Sequence, residues 1–188
     1  MRNRVIVFLY FFSVFISVNA QNKFTTKSGE LNFEASVPSF VEVIAKNKNV
    51  SAILLDNGDF AILALVNGFR FKVALMEEHF NENYVESVKY PKTTFSGKIL
   101  DFNVSDLSEK EIIYTISGVI TLHGVDRYLE VPVSIIQKNN SIVLTSNFVL
   151  KPEYFNIKIP KIVNNKIAEE INVSVSFKLT KLNSLDYE

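Results

Sequence analysis

Apolar and polar side chains alternate through most of the chain beyond residue 30. The alternation is cleanest at 171–180, where Ile171, Val173, Val175, Phe177 and Leu179 share one face and Asn172, Ser174, Ser176, Lys178 and Thr180 share the other. A period of two is that of a strand with one buried face. The same pattern recurs at 128–136 (Leu129, Val131, Val133, Ile135), at 142–150 (Ile142, Leu144, Phe148, Leu150) and at 112–122 (Tyr114, Ile116, Ile120, Leu122, with Gly118 in the same row). Segments 94–104, 60–71, 50–55 and 30–36 bring the total to about eight strands, and 40–46 is a candidate ninth.

The connections suit antiparallel neighbours. Asp56-Asn57-Gly58-Asp59 reads as a two-residue hairpin because Asn and Gly tolerate positive φ. Lys138-Asn139-Asn140-Ser141 is a second such turn, and Lys46-Asn47-Lys48-Asn49 a weaker third. Asn67-Gly68 interrupts a run in which Phe69 and Phe71 continue the alternation, which predicts a bulge in one long strand. Pro132 has no N–H to give a ladder, so its strand is an edge or a bulge at that point. One helix is expected at 73–83: Leu75, Met76, His79 and Phe80 share a face, with Glu77, Glu78, Asn81 and Glu82 turned away. The pattern therefore predicts an all-β domain with one short helix over an end. Strands that each bury one row can close as a sandwich or as a barrel, and an eight-stranded barrel is either filled by side chains or holds one small ligand.

The start of the chain breaks the alternation. Met1–Arg4 carries two Arg, residues 5–18 are apolar apart from Tyr10, Ser13 and Ser17, and Val18-Asn19-Ala20 ends the run with small residues. That order is an export signal cleaved after Ala20. The run is short for a membrane span, which needs about 20 residues. The expected organisation is a signal peptide at 1–20 and one domain at 21–188, periplasmic or secreted, with no Cys to carry a lipid anchor. Composition narrows the chemistry further. The chain of 188 residues has no Cys and no Trp, 2 His, and 20 basic against 20 acidic residues. Disulfides, thiol chemistry and Cys-ligated metals are excluded. A balanced charge argues against a nucleic-acid partner.

Catalytic motifs are missing. There is no Gly-rich phosphate loop, no His-Glu-x-x-His and no Gly-x-Ser-x-Gly elbow. His79 reads as a core or pocket-rim residue, and His123, before Gly124, as a stabiliser of its turn. Glu77 and Glu78 are neighbours and diverge by about 100° on a helix, so they do not form a carboxylate pair. Four Asn-x-Ser sequons, at Asn49, Asn103, Asn139 and Asn172, matter only in a eukaryotic secretory route. Binding is the better class than catalysis, and no cofactor is called for. The aromatic residues Phe33, Phe60, Phe71, Phe95, Tyr114, Phe148 and Phe177 all lie in strands, either packed in a core or lining a tunnel.

Residues 75–97 carry a resemblance. Leu75-Met76-Glu77-Glu78-His79-Phe80, then Tyr84, then Lys89-Tyr90-Pro91-Lys92-Thr93-Thr94-Phe95-Ser96-Gly97, is similar to the central signature of the YceI-like family. Gly118-Val119-Ile120-Thr121-Leu122-His123-Gly124-Val125 resembles its next signature, and Lys151-Pro152-Glu153-Tyr154-Phe155-Asn156-Ile157 stands where that family has Arg-x-x-Phe-Gly-Ile. Lys151 replaces the Arg, Asn156 replaces the Gly, and the early His is missing. The resemblance spans 24–182. It implies an extended antiparallel, eight-stranded, lipocalin-like β-barrel whose tunnel holds a long-chain lipid: a polyisoprenoid, an isoprenoid quinone or a fatty-acid derivative. The implied role is that of a carrier or buffer, not an enzyme, meeting a membrane transiently as lipid donor. Residues expected to line the tunnel or its mouth are Phe33, Phe60, Phe71, Met76, His79, Phe80, Tyr84, Tyr90, Phe95, Tyr114, Ile116, Phe148 and Phe177. His79, Tyr84 and Tyr90 would offer polar atoms to a headgroup. The strand edge near Pro132 is a candidate contact for a homodimer. The alternative is a ligand-free secreted β-domain serving protein–protein contact or a stress response.

Overall fold

The computed structural model describes residues 22–160 and 166–182. The expected signal segment lies outside the described residues. Nine strands form: β1 (Lys23–Ser36), β2 (Ile44–Leu55), β3 (Asp59–Leu65), β4 (Arg70–Phe71), β5 (Lys92–Ile99), β6 (Ile112–Leu122), β7 (Val125–Lys138), β8 (Ser141–Leu150) and β9 (Ile167–Lys181). Their order is β1-β9-β8-β7-β6-β5-β3-β2, and β2 pairs back onto β1. Every pairing is antiparallel. The sheet closes as an eight-stranded barrel, with the two-residue β4 appended to β2. Closure removes the free edges that a sandwich would leave.

Turn chemistry explains the hairpins. At β7–β8, Asn139 and Asn140 both take positive φ (48° and 62°), the two-residue geometry that matches strand twist. His123 (52°) and Gly124 (71°) do the same at β6–β7. At β2–β3 only Gly58 has positive φ, and Asn57 accepts a hydrogen bond from the Asp59 N–H at 3.1 Å, so this loop is one residue longer than the two-residue turn expected. Asn47 is not in a turn at all. It lies within β2, which bulges beside it: between the pairs Gly29–Val50 and Leu31–Asn47, Lys48 and Asn49 of β2 stand against Glu30 alone. Residues 40–43 are not a strand.

The continuous strand expected at 60–71 is broken. β3 stops at Leu65, a 3₁₀ turn spans Val66–Gly68, and β4 restarts on β2. Buried Asn47 explains the break: its Nδ2 donates to the Leu65 carbonyl at 3.0 Å, taking the ladder's next acceptor. The segment expected at 94–104 also ends early, at Ile99. Residues 100–111 then fold over that end of the barrel, where Leu107 is buried and Phe102 and Val104 pack on the core.

Pro132 marks a seam. β7 pairs with β6 along 112–122, but with β8 only from Ser134 to Lys138. Over the other half the Pro132 carbonyl accepts from Ser146 Oγ at 2.6 Å, and the 3₁₀ turn Pro152–Phe155 packs beside β7. The proline thus stands where one ladder opens, within a closed barrel.

The core fills only part of the barrel. On β9 the inward row records depth: Phe177 and Leu179 are fully buried, while Ile171 is only partly so. On β8, Ile142 and Leu144 are packed and Leu150 is half-buried. The end capped by residues 100–111 is solid; the opposite end is not.

Candidate functional site

The unfilled end holds a cavity of about 610 Å³. Its wall is almost entirely hydrocarbon. The strands contribute Leu31, Phe33, Ala35, Ile120, Leu122, Phe148, Leu150, Ile171 and Val173. These are the same inward rows that, deeper down, form the core. A second hollow of about 60 Å³ lies below and shares Leu31, Thr93, Ile120 and Phe148 with the first.

Four phenylalanines build one side of the mouth. Phe33 lies 5.3 Å from Phe69, 5.7 Å from Phe71 and 5.4 Å from Phe80, between ring centroids. Phe80 also contacts Phe69 (5.7 Å) and Phe71 (5.1 Å), with rings tilted or edge-on. Such offsets suit the charge distribution of aromatic rings. The 3₁₀ turn that ends β3 is what swings Phe69 and Phe71 to this position.

The helix α1 (Ala74–His79) lies over the mouth and passes into a π-type turn, Phe80–Tyr84. None of its residues is buried. Its apolar face, Leu75, Met76 and His79, looks onto the cavity, and Phe80 at the start of the following turn lines it as well. Glu77, expected to face solvent, is an anchor. Its Oε1 pairs with Arg70 Nη1 at 3.2 Å and its Oε2 accepts the Phe71 N–H at 3.1 Å, tying the helix to β4. Across the mouth, Phe40 and Val41 in the β1–β2 loop are 44% and 64% exposed while still lining the cavity, and Leu75 is 56% exposed. Polar side chains on the wall are few: Thr93, His79, Tyr84 and Lys166. Thr93 Oγ1 is already committed, donating to the Thr121 carbonyl at 2.9 Å.

The thirteen residues singled out in the sequence fall into three groups. Phe33, Phe71, Met76, His79, Phe80, Tyr84 and Phe148 line the large cavity. Phe60, Phe95 and Ile116 line the small hollow, which Phe148 also borders. Tyr90, Tyr114 and Phe177 line neither. Tyr90 packs edge-on to His123 at 4.5 Å, Tyr114 packs on Phe102 at 5.7 Å at the capped end, and Phe177 is core, 5.9 Å from Phe60. Several wall residues were not singled out: Phe69, Leu31, Val173, Phe155, Phe40 and Val41 among them. For Leu31 and Val173 the signal was present, since each stands two positions from another inward side chain. For Phe40 and Val41 the sequence held none, because a loop has no period.

His123 is not part of the wall. It is only 9% exposed, its Nδ1 donates to the Phe155 carbonyl at 2.9 Å, and its Nε2 pairs with Glu86 Oε2 at 2.9 Å. It therefore fastens the β6–β7 turn to two other loops. Lys151 lies 3.1 Å from Glu170, and this contact raises the lysine's pKa above its ordinary value. Asn156 takes φ of 58°, the left-handed conformation for which glycine is the usual residue and asparagine a tolerated one. Among the described residues, no group of three or more His, Asp or Glu side chains is placed to hold a metal ion.

A closed antiparallel barrel with a hydrocarbon-walled interior cavity and a short helix at its mouth defines a class of hollow β-barrels. Within that class, the sequence profile of the YceI-like domain matches residues 8–179, and the chain belongs to that family. Solved structures are similar over most of the fold. A polyisoprenoid binding domain from Saccharophagus degradans implicated in plant cell wall breakdown aligns with a TM-score of 0.75 at 14% identity, over 87% of this chain and 100% of its own. Burkholderia cenocepacia BcnA aligns with a TM-score of 0.67 at 16% identity, over 81% of this chain and 96% of its own. The Campylobacter jejuni YceI protein aligns with a TM-score of 0.62 at 14% identity, over 79% and 90%. No curated protein sequence matches.

Proposed function

We propose that this chain is an exported binding protein that encloses an apolar lipid of the polyisoprenoid, isoprenoid-quinone or fatty-acyl class and acts as its carrier or buffer. The cavity of about 610 Å³ with a hydrocarbon wall carries this reading. Pockets of roughly 300–1,000 Å³ are the size that encloses small ligands. The fold it shares with a structure described as a polyisoprenoid binding domain supports the ligand class. Export rests on the charged, apolar and small-residue order of residues 1–20. No helix among the described residues is long and apolar enough to cross a membrane.

The energetics favour a carrier. Burying a methylene from water gains about 0.8 kcal/mol, so ten of them correspond to roughly micromolar binding before costs. A lipid arriving from a bilayer is already dry, so its transfer into the cavity is nearly balanced and reversible. The residues also favour binding over catalysis. His123 is occupied by structural contacts, and His79 pairs with no carboxylate among the described residues.

Protein purified from its native host, extracted and analysed by mass spectrometry, should yield about one apolar lipid per chain and a mature mass beginning at Gln21. A protein that carries no lipid and takes none up from vesicles would overturn the binding reading. A mature chain that retains residues 1–20 would overturn cleavage.

A further inference from the structure

The barrel is hollow for only part of its length. On β9 the large cavity is lined by Ile167, Ile171 and Val173, the small hollow by Val175, and neither by Phe177 or Leu179. Ile167 to Val173 spans about 20 Å along the strand at roughly 3.3 Å per residue, and less along the tilted barrel axis. Below that point three rings close the interior. Phe177 lies 5.9 Å from Phe60, and Phe60 lies 6.5 Å from Phe95.

These rings are seated where the backbone makes room for them. A Cβ on Gly29 would lie 2.3 Å from the Phe177 ring, and one on Gly97 or Gly118 would lie 2.8 or 2.9 Å from the tip of Phe95. The floor is therefore packed solid. The hollow beneath the cavity adds only about 60 Å³.

We infer that this floor sets an upper limit on ligand length: a single extended chain that reaches the floor has about 20 Å of wall beside it, roughly fifteen to twenty carbons of a prenyl chain. The inference rests on the lipid-binding reading above and adds a ceiling to it. Carbons beyond the ceiling cannot pass Phe60 and Phe177, so they project through the mouth. Each methylene moved from a bilayer to water then lowers occupancy about fourfold. The exposed mouth residues Phe40, Val41 and Leu75 shelter only the first of them.

Phosphatidylcholine vesicles loaded with equimolar ten-, fifteen-, twenty- and forty-carbon prenyl alcohols test this. The delipidated full-length mature protein is equilibrated with them, re-isolated and read by native mass spectrometry. Occupancy should peak at fifteen or twenty carbons, with the forty-carbon alcohol at least about tenfold lower. Equal or greater uptake of the forty-carbon chain would overturn the length limit while leaving the binding reading intact. Uptake of no chain of any length would overturn the binding reading and this inference with it. Phe60→Ala, which removes a floor ring, should raise the relative uptake of the forty-carbon chain. Leu144→Ala, lining the small hollow, provides the same readout if Phe60→Ala does not fold. An unchanged length profile in a folded floor variant would count against the floor as its cause.

Discussion

His123 holds together parts of the chain that are far apart in sequence. Its ring reaches Glu86 on one side and the Phe155 carbonyl on the other, and Tyr90 covers it. Replacing it with Ala leaves a buried carbonyl without its donor, and hydrogen bonds of this kind contribute about 1–3 kcal/mol. His123→Ala is expected to lower the free energy of unfolding by about 2 kcal/mol in urea titrations; an unchanged midpoint would show that the contacts contribute little. Tyr114 yields a prediction in pH. Burial first, and the Asp106 carboxylate second, raise its hydroxyl above the ordinary 10.0. A raised value means that the fold favours the neutral phenol. Its contribution is fully present below about pH 10 and is lost as pH climbs through the raised value. Tyr114→Phe should therefore unfold less readily than the parent above that pH and no differently near neutrality, as followed by circular dichroism.

Among the elements, β5 and β6 are the most exacting pair. Gly97 faces Gly118 in register, and a Cβ on Gly118 would meet the Ser96 carbonyl at 2.4 Å and Gly97 Cα at 2.5 Å. Both neighbours are backbone and cannot turn aside. Gly118→Ala should cost about 1–3 kcal/mol, as overpacking typically does, and should displace Phe95 from its seat. A thermal midpoint equal to that of the parent would refute the close packing. The inward rows of these strands were legible in the sequence, because a strand repeats every two residues and the barrel buries one face of each. Its breaks were harder to read. The run at 60–71 alternates correctly on both sides of Asn67-Gly68, and only Asn47, from another strand, reveals that the ladder ends at Leu65. Glu77 was misread as solvated for the same reason: its partners, Arg70 and the Phe71 N–H, come from β4.

The whole molecule is polarised, solid at the end covered by residues 100–111 and hollow at the end beneath α1. Phe40, Val41 and Leu75 expose apolar surface around the opening. Under the proposed exchange with a bilayer, these residues are the ones that meet it. Phe40→Glu together with Leu75→Glu should slow lipid uptake from vesicles about tenfold or more while leaving the free energy of unfolding within about 1 kcal/mol of the parent, as surface substitutions usually do. Uptake at the parental rate would place the contact elsewhere.

The sequence by itself determined the strands, most hairpins, the short helix and the row of side chains each strand turns inward, since these follow from local period and turn chemistry. It also supplied the order of motifs that marks the family. It could not say where along the barrel the interior stops being filled. Ile171 and Phe177 occupy equivalent positions in one alternating run, yet one lines a cavity and is only partly buried while the other is core. That difference depends on which rings from other strands reach the same depth, so only the closed barrel decides it.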